Sequence, residues 1–305
     1  MSTKEKYLNP FTDFGFKKLF GSEVNADILI NFLNAILPKE VQITHLTYLK
    51  TEHIGHSEID RKVVYDVYCE NEKGEKFIVE LQKARQKYFK ERTIFYSTFP
   101  IQEQAIRGDW NFDLKAVYTV SILDFLIGNN SYATKKQEIK ENKSVKKTAK
   151  LMDIETNEIF YDKLTYVQIH IPLFVKEEGE LETIEDKWFY IIRNLQRFQN
   201  RPAALEEHIF DKVFETAEIA MFDKQERMAY EDSLKNYRDI KNVIDTAKEE
   251  AEKKGKKEGK KEGKQEKAIE ITKNLLRSGL SEKMIAENTG LSIEEVQRIA
   301  KSLNT

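Results

Sequence analysis

Two apolar runs separated by a short polar turn constrain this chain more than any other feature. Residues 61–70 and 76–82 are the apolar runs, and the polar segment between them contains Gly74. Runs of this length on either side of a glycine-containing turn are typical of two antiparallel strands joined as a hairpin. We therefore expect a β-hairpin whose turn is centred near Lys73.

This hairpin register would bring three polar side chains together. A turn centred near Lys73 sets Asp66 directly opposite Glu80 and Val64 opposite Gln82. Side chains alternate between the two faces of a strand, and cross-strand partners share a face. The sequence therefore predicts that Asp66, Glu80 and Gln82 converge on one patch.

Paired carboxylates at the ends of apolar strands point to a metal-dependent hydrolytic site. They are costly to bury unless something compensates their charge, and a divalent cation would do so. We expect Asp66 and Glu80, with the backbone carbonyl of Leu81, to bind one or two Mg²⁺ ions, with Mn²⁺ as an alternative. A lysine two residues after Glu80 could steer or activate the attacking water, whereas Gln82 can orient water but carries no charge. Lys83 follows, but it would point to the opposite face of an ideal strand.

Two alternatives remain open at this stage. Glu23 or Asp27, on the first long helix, could complete the metal shell. Conversely, Asp66 could be a structural carboxylate at a strand edge, and Glu80 could pair with Lys62 across the hairpin.

The pattern along the rest of the chain predicts a mixed α/β core. Helical spacing of apolar residues over 23–37 precedes strand-like runs, and a second helical segment follows the hairpin, with Pro100 expected to break or kink it. A continuous apolar run at 115–126 suits a strand buried on both faces. The expected segments in chain order are a short helix near 12–20, a helix at 23–37, strands at 42–50, 61–70 and 76–82, a helix at 85–107, and strands at 115–126 and 166–174.

The C-terminal part of the sequence is helical and charged. We expect a mixed α/β core over 1–183, a helical extension over 184–247, a linker rich in Lys, Glu and Gly over 248–267, and a three-helix tail over 268–305. The tail has the shape of a helix-turn-helix, with a capping box at Ser292 and Glu295. It could contact DNA or join two subunits.

Composition excludes several classes of protein. The net charge is −2, so any DNA binding must come from a local basic patch. The single cysteine, Cys69, rules out an internal disulfide, which fits a reducing cytoplasm. No apolar run is long enough for a membrane span, and the first residues lack a signal-peptide core.

Four segments of the chain together resemble a known family. The chain is similar to the Rpn family of recombination-promoting nucleases, also called PD-(D/E)XK family transposases, over about residues 7–245. The segments that carry the resemblance are Asn9–Gly21, Asp60–Val67, Ile78–Gln82 and Arg92–Ser97.

The resemblance implies a restriction-endonuclease-like mixed sheet flanked by helices, Mg²⁺-dependent DNA cleavage, and promotion of recombination in a bacterium. It assigns the catalytic positions to Asp66, Glu80 and Gln82. Glutamine is common in this family where the wider superfamily has lysine.

Four further residues are candidates for contact with DNA: Lys17, Arg92, Tyr96 and Gln102. Arg92 and Tyr96 are four residues apart on one helical face and could clamp a phosphate, although core-and-rim packing would explain them equally well. Three functions follow: an endonuclease, a DNA-binding protein with an inactive nuclease core, and an interaction protein that dimerises through 184–305. A homodimer is the expected assembly.

Overall fold

A computed structural model of the chain describes residues 5–53, 63–105, 111–126 and 144–303. The chain divides into two compact units, Met1–Lys241 and Asn242–Thr305. Within the described residues, the first unit is a six-stranded mixed sheet flanked by helices, and the second is helical. The predicted fold class is confirmed.

The elements of the first unit include six helices, counted over the described residues, of which the last continues into the second unit. In chain order the elements are α1 (Asp13–Phe20), α2 (Ala26–Ile36), β1 (Leu46–Tyr48), β2 (Glu52–His53), β3 (Val63–Val64), β4 (Val67–Asn71), β5 (Lys76–Gln82), α3 (Phe89–Gln102), β6 (Val117–Leu123), β7 (Lys146–Met152), β8 (Ile159–His170), α4 (Ile184–Asn194), α5 (His208–Ala217) and α6 (Lys224–Arg277).

The main sheet has the strand order β1-β4-β5-β6-β8-β7. Strand β6 runs parallel to both β5 and β8, whereas the other neighbours are antiparallel. Gln82, Leu123 and His170 therefore end three parallel strands at the same edge of the sheet. Ligand sites in α/β sheets form preferentially at such edges.

The turn between β4 and β5 is fixed by one asparagine and one glycine. The Asn71 carboxamide oxygen accepts hydrogen bonds from the backbone N–H groups of Lys73 (3.0 Å) and Glu75 (2.9 Å). Gly74 has a φ of 77°, a left-handed conformation that glycine adopts without steric cost. These local interactions set the register of the hairpin.

The observed register matches the predicted one over β4. Val67 pairs with Val79 and Glu70 with Lys76, which continues to Asp66 opposite Glu80. The single strand expected over 61–70 is wrong, because the described part of it is divided into β3 and β4.

The predicted pairing of Val64 with Gln82 is also wrong. Val64 pairs with Glu52 in a separate two-stranded sheet formed by β2 and β3. The neighbouring Tyr65 N–H donates to the Thr51 carbonyl at 2.9 Å, so the chain has left β5 before it reaches Asp66.

Strand β1 is shorter than the run expected at 42–50. The Asn34 side chain donates to the Ile43 carbonyl and accepts from the Ile43 N–H, both at 2.9 Å. Because both backbone groups of Ile43 bond to a helix side chain, this residue does not join the sheet.

Pro100 does not break the helix that contains it. Helix α3 includes Pro100 in its last turn and ends at Gln102, before the predicted end. Proline lacks the N–H that would bond to the Tyr96 carbonyl, and the Tyr65 hydroxyl donates to that carbonyl instead, at 2.9 Å. This bond ties α3 to the chain directly before Asp66.

The sheet is covered on both faces. Helices α2, α4 and α5 pack on one face around Trp188, which is fully buried and donates to Asn31 through its indole N–H at 2.9 Å. The opposite face carries a smaller apolar cluster formed by Val63, Tyr65, Tyr68 and Ile78, with Tyr96 and Phe99 of α3 packed on it. Helix α3 therefore covers the face towards which Glu80 and Gln82 project.

The second unit contains the end of α6, followed by α7 (Glu282–Thr289) and α8 (Ile293–Leu303). The predicted capping box is confirmed, because Glu295 N–H donates to Ser292 Oγ and Ser292 N–H donates to the Glu295 carboxylate, at 3.2 and 2.9 Å. The charged segment 248–267 lies inside α6, and the four-part division of the chain stays a prediction. None of the described helices is both long and apolar enough to cross a membrane.

Candidate active site

Asp66 lies where the β4–β5 ladder ends. Its carboxylate oxygen Oδ2 accepts a hydrogen bond from the Leu81 N–H at 2.7 Å, and its own N–H donates to Glu80 Oε1 at 3.2 Å. Side-chain oxygens thus replace the backbone acceptors of a regular ladder at this point. The exchange brings the Asp66 and Glu80 carboxyl groups together.

Glu80 and Gln82 lie on the last residues of β5 and face α3. Their exposed fractions are 7% and 6%, so both side chains are buried. Gln82 Nε2 donates to Glu80 Oε2 at 3.2 Å, and Arg92 Nη2 lies 4.0 Å from the same oxygen. The positive charge of Arg92 is too distant for a strong ion pair with Glu80.

Burial is the main cause of the raised pKa values of both carboxyl groups, and a neighbouring carboxylate adds to each rise: Asp66 for Glu80, and Asp13 for Asp66. Burial and then the charge of Asp66 raise the pKa of Glu80 to about 8. Burial also raises the pKa of Asp66, and the hydrogen bond from Leu81 opposes this rise. Two adjacent carboxyl groups with raised pKa values show that the chain supplies less positive charge here than their ionised forms need.

The oxygen atoms available at this point suit a hard divalent cation. Within an extended strand, the N–H and C=O of one residue point towards the same neighbouring strand. Because the Leu81 N–H points at Asp66, the Leu81 carbonyl also faces the Asp66 side. Among the described residues no group of three His, Cys, Asp or Glu side chains could hold a metal alone. Mg²⁺ commonly uses only one or two protein carboxylates, with water and substrate phosphate completing its shell.

The two carboxyl groups open into a cavity of about 310 Å³. Its walls come from α1, from the segment that contains Val64 and Asp66, from the end of β5 and the residues after it, from α3, and from one residue of α6. The lining residues are Asp13, Phe16, Val64, Asp66, Glu80, Leu81, Gln82, Lys83, Ala84, Gln86, Arg92, Tyr96 and Ile240.

The strand pattern did not predict that Lys83 and Asp13 line this cavity. Lys83 lies one residue beyond the end of β5, so the alternation of an ideal strand no longer applies to it. Burial lowers the pKa of its ammonium group, and the charges of Asp13 and Asp66 oppose that shift. Asp13 belongs to the first turn of α1. The motif Asn9–Gly21 identified this segment in the sequence, but it did not predict the direction of the Asp13 side chain.

Helix α1 is held in place by a tight local structure. Thr12 Oγ1 accepts from the Gly15 N–H at 2.9 Å and donates to the Asn9 carbonyl at 2.8 Å. A Cβ on Gly15 would overlap the Asn9 carbonyl and lie 2.7 Å from Thr12 Oγ1, so only glycine fits. The segment fixes the first turn of α1, which carries Asp13 to the cavity.

The four candidate DNA contacts lie at different distances from the carboxyl groups. Arg92 and Tyr96 line the cavity, and the Arg92 guanidinium lies 5.3 Å from the centre of the Tyr96 ring. Lys17 is one helical turn after Asp13, and its ammonium nitrogen lies 3.3 Å from Asp13 Oδ2. Gln102 is an exposed residue at the end of α3 and does not line the cavity.

The other candidates for the metal shell lie elsewhere. Asp27 Oδ1 accepts from the Lys212 ammonium at 2.6 Å, and neither Asp27 nor Glu23 lines the cavity. Both acidic residues are exposed, and the carboxylate that approaches Asp66 is that of Asp13. Lys62, the suggested partner of Glu80, lies outside the described residues.

The arrangement defines a class of protein whose mixed sheet brings together two acidic residues, Glu80 at the end of the central strand β5 and Asp66 directly before the neighbouring strand β4, with the order Asp, then Glu-x-Gln. A family model described as PD-(D/E)XK nuclease family transposase matches residues 10–247. This match covers well over half of the 305 residues, and the chain belongs to that family. Comparisons with curated proteins and with solved structures found no match. Membership indicates a nuclease-like function with DNA as the substrate, and divalent metals are the general cofactors of such nucleases.

Proposed function

We propose that this protein is a metal-dependent DNA endonuclease that hydrolyses phosphodiester bonds, with Mg²⁺ as the expected cation and Mn²⁺ as an alternative. One observation carries the proposal. The carboxyl groups of Asp66 and Glu80 meet at the end of β5, their pKa values are raised, and they open into a cavity of about 310 Å³.

Three groups of the chain would hold the cation: the two carboxylates of Asp66 and Glu80, and the Leu81 carbonyl. Once bound, a divalent ion would lower the pKa of a coordinated water and stabilise charge on the phosphate. Asp66 is kept in position for this role by the 2.7 Å hydrogen bond from the Leu81 N–H. Glu80 is oriented by the Asp66 N–H and the Gln82 amide.

Gln82 and Lys83 would together fill the role of the lysine that the wider superfamily has at the position of Gln82. The Gln82 Nε2 group donates to Glu80, and its carbonyl oxygen has no protein donor among the described residues, so it is available to orient a water. Lys83 brings a positive charge to the cavity that Gln82 lacks. An ammonium group there can attract the substrate phosphate and counter the charge that develops during hydrolysis.

Arg92, Tyr96 and Lys17 are the proposed DNA contacts near this centre. The Arg92 guanidinium lies over the Tyr96 ring, 5.3 Å from its centre. A guanidinium group can donate two parallel hydrogen bonds to a phosphate. Gln102 is at most a peripheral contact, and promotion of recombination and a homodimeric assembly stay predictions.

Plasmid cleavage with isosteric variants tests the proposal. Supercoiled plasmid would be incubated with the purified protein and Mg²⁺, Mn²⁺, Ca²⁺ or EDTA. Asp66→Asn should lower the Mg²⁺-dependent nicking rate by about 100-fold or more, because it removes a charge that holds the cation in the reacting complex. Asp27→Asn is the matched control, since Asp27 is an exposed acid bonded to Lys212. It should cleave as the wild type does.

The outcomes separate the alternatives. Equal cleavage by the wild type and Asp66→Asn would overturn the site assignment. No cleavage with any of the metals would favour a catalytically inactive DNA-binding or dimerising protein built on the same fold. Circular dichroism of each variant would verify that the fold is retained.

A further inference from the structure

A second cavity lies at the same edge of the sheet as the proposed active site. It has a volume of about 200 Å³ and is lined by Asn9, Pro10, Phe11, Asp124, Ile171, Pro172, Arg193, Gln196, Arg197, Tyr237 and Lys241. Asp124 follows the last residue of β6, and its N–H donates to the Gln82 carbonyl at 3.0 Å. A direct backbone hydrogen bond therefore joins this cavity to the end of β5.

Three cationic side chains line the cavity, and one of them, Lys241, acts electrostatically on the Asp124 carboxylate. Arg193 and Arg197 are four residues apart, and Lys241 approaches from α6, where its ammonium lies 5.8 Å from the Tyr237 ring centre. In the described parts of the chain, none of the three has a carboxylate within 4.0 Å, whereas Lys187, on the same helix as Arg193, pairs with Glu207 at 2.6 Å.

A buried amide adds donors to this cavity. Asn9 is only 4% exposed, and its Oδ1 accepts from the Phe11 N–H at 2.9 Å. Its Nδ2 group has no hydrogen-bond acceptor within the part of the chain that the structure describes. Since Asn9 lines the cavity, this amide group is available to donate to a ligand with acceptor oxygens.

The cavity contains one carboxylate against these three cations. Asp124 Oδ2 accepts from the Tyr237 hydroxyl at 2.9 Å, which holds the carboxylate against α6. The remaining excess of positive charge, together with the guanidinium and amide donors, favours an anion with several hydrogen-bond acceptor oxygens. Phosphate groups have this chemistry.

We propose that this cavity binds a phosphate group of the DNA backbone close to the bond that is cleaved. The inference rests on the proposed nuclease function for its choice of DNA as the source of that phosphate. A volume of about 200 Å³ is smaller than the roughly 300–1,000 Å³ of typical small-molecule pockets, so it suits one phosphate and part of its sugar.

The sheet geometry gives the position of this phosphate along the DNA. The cavity lies beyond the ends of β6 and β8, one to two inter-strand spacings from β5, or about 5–10 Å. Nucleotides of one DNA strand are about 3.4 Å apart along the axis. The bound phosphate would therefore be within about three nucleotides of the scissile bond.

Binding to a short fluorescein-labelled duplex in EDTA tests the site without cleavage. Arg193→Gln/Arg197→Gln should weaken binding by about tenfold or more, because charge-assisted hydrogen bonds to a phosphate are lost. The plot of log affinity against log salt concentration has a negative slope, which should become shallower by about 0.9, the value for one phosphate contact. The matched control is Arg201→Gln/Arg238→Gln, which removes two arginines paired with Asp211 and Glu5 outside the cavity. It should retain the wild-type slope.

Asp124→Asn should strengthen DNA binding, whereas the arginine substitutions should weaken it. It removes the one carboxylate that the described residues contribute to the cavity and keeps an oxygen that can accept from Tyr237, so DNA should bind several-fold more tightly. A residue with only a structural role would not improve binding when changed.

Inorganic pyrophosphate distinguishes two sources of the bound phosphate, the DNA backbone and free phosphate in solution. DNA affinity that falls with the arginine pair supports the DNA assignment. Equal DNA affinity, together with a pyrophosphate-induced rise in melting temperature that the arginine variant loses, would overturn that assignment in favour of free phosphate. Equal behaviour of both proteins towards both probes would refute the site. Since cleavage is not measured, an inactive enzyme would leave these results interpretable.

Discussion

Replacement of Glu80 by glutamine should make the metal-free protein more stable at alkaline pH while it abolishes metal-dependent cleavage. The pKa of Glu80 is raised from 4.5 to about 8 in the folded protein. The folded state therefore holds the Glu80 proton more tightly than the unfolded chain does. As a result, the stability of the wild type should fall as pH rises from about 4.5 to about 8 and then level off.

The size of this effect follows from the same shift. Each pH unit is equivalent to about 1.4 kcal/mol, so the rise from 4.5 to about 8 costs the wild type about 5 kcal/mol at pH 9. Glutamine has one carbonyl oxygen, whereas Glu80 accepts from both the Asp66 N–H and the Gln82 amide. The donor left unpaired costs about 1–3 kcal/mol. The free energy of unfolding of Glu80→Gln should therefore exceed that of the wild type by about 2–4 kcal/mol at pH 9. Near pH 6 the cost of ionising Glu80 and the cost of the unpaired donor cancel, so the two proteins should be equally stable.

Urea unfolding in EDTA between pH 6 and 9 would measure these free energies, with the fluorescence of the buried Trp188 as the probe. Glu91→Gln is the control, since Glu91 is an exposed glutamate of α3. Added Mg²⁺ should stabilise the wild type at pH 9 and have little effect on Glu80→Gln. Parallel pH profiles for the wild type and Glu80→Gln would refute the assignment of a buried, uncompensated carboxylate.

Two further predictions concern the supports of the site. Tyr65→Phe should cost about 1–2 kcal/mol, because Pro100 cannot replace the lost donor to the Tyr96 carbonyl. The same change in a Pro100→Ala background should cost less, which a double-mutant cycle by urea unfolding would measure. Thr12→Ala should destabilise the protein by about 1–2 kcal/mol, since the cap of α1 is lost, and it should lower the melting temperature in a thermal scan.

The sequence was most informative where local rules decide the structure. The β4–β5 register followed from the period of two along each strand and from the turn, in which Asn71 and Gly74 supply the required interactions. The capping box of α8 was equally local. These features depend on residues only a few positions apart, so no knowledge of the packed fold was needed.

The rest of the site depends on contacts between distant segments. The end of the β4 ladder at Asp66 results from a side-chain bond to Leu81 and from the pairing of the preceding residues with the segment around Thr51. The approach of Asp13 to Asp66 requires the packing of α1 against α2 and α5. Neither follows from periodicity, because periodicity describes one element at a time.

Lys83 illustrates how a strand boundary can alter the chemistry of a motif. Strict alternation would direct Lys83 away from Glu80 and leave the site with an uncharged Gln82. The strand ends at Gln82, however, and the Asp124 N–H bonds to the Gln82 carbonyl, so the ladder closes before Lys83. The lysine side chain is then free of the alternation and lines the cavity. In the proposed nuclease, Lys83 would supply the positive charge that Gln82 lacks, from a position directly after the end of the strand.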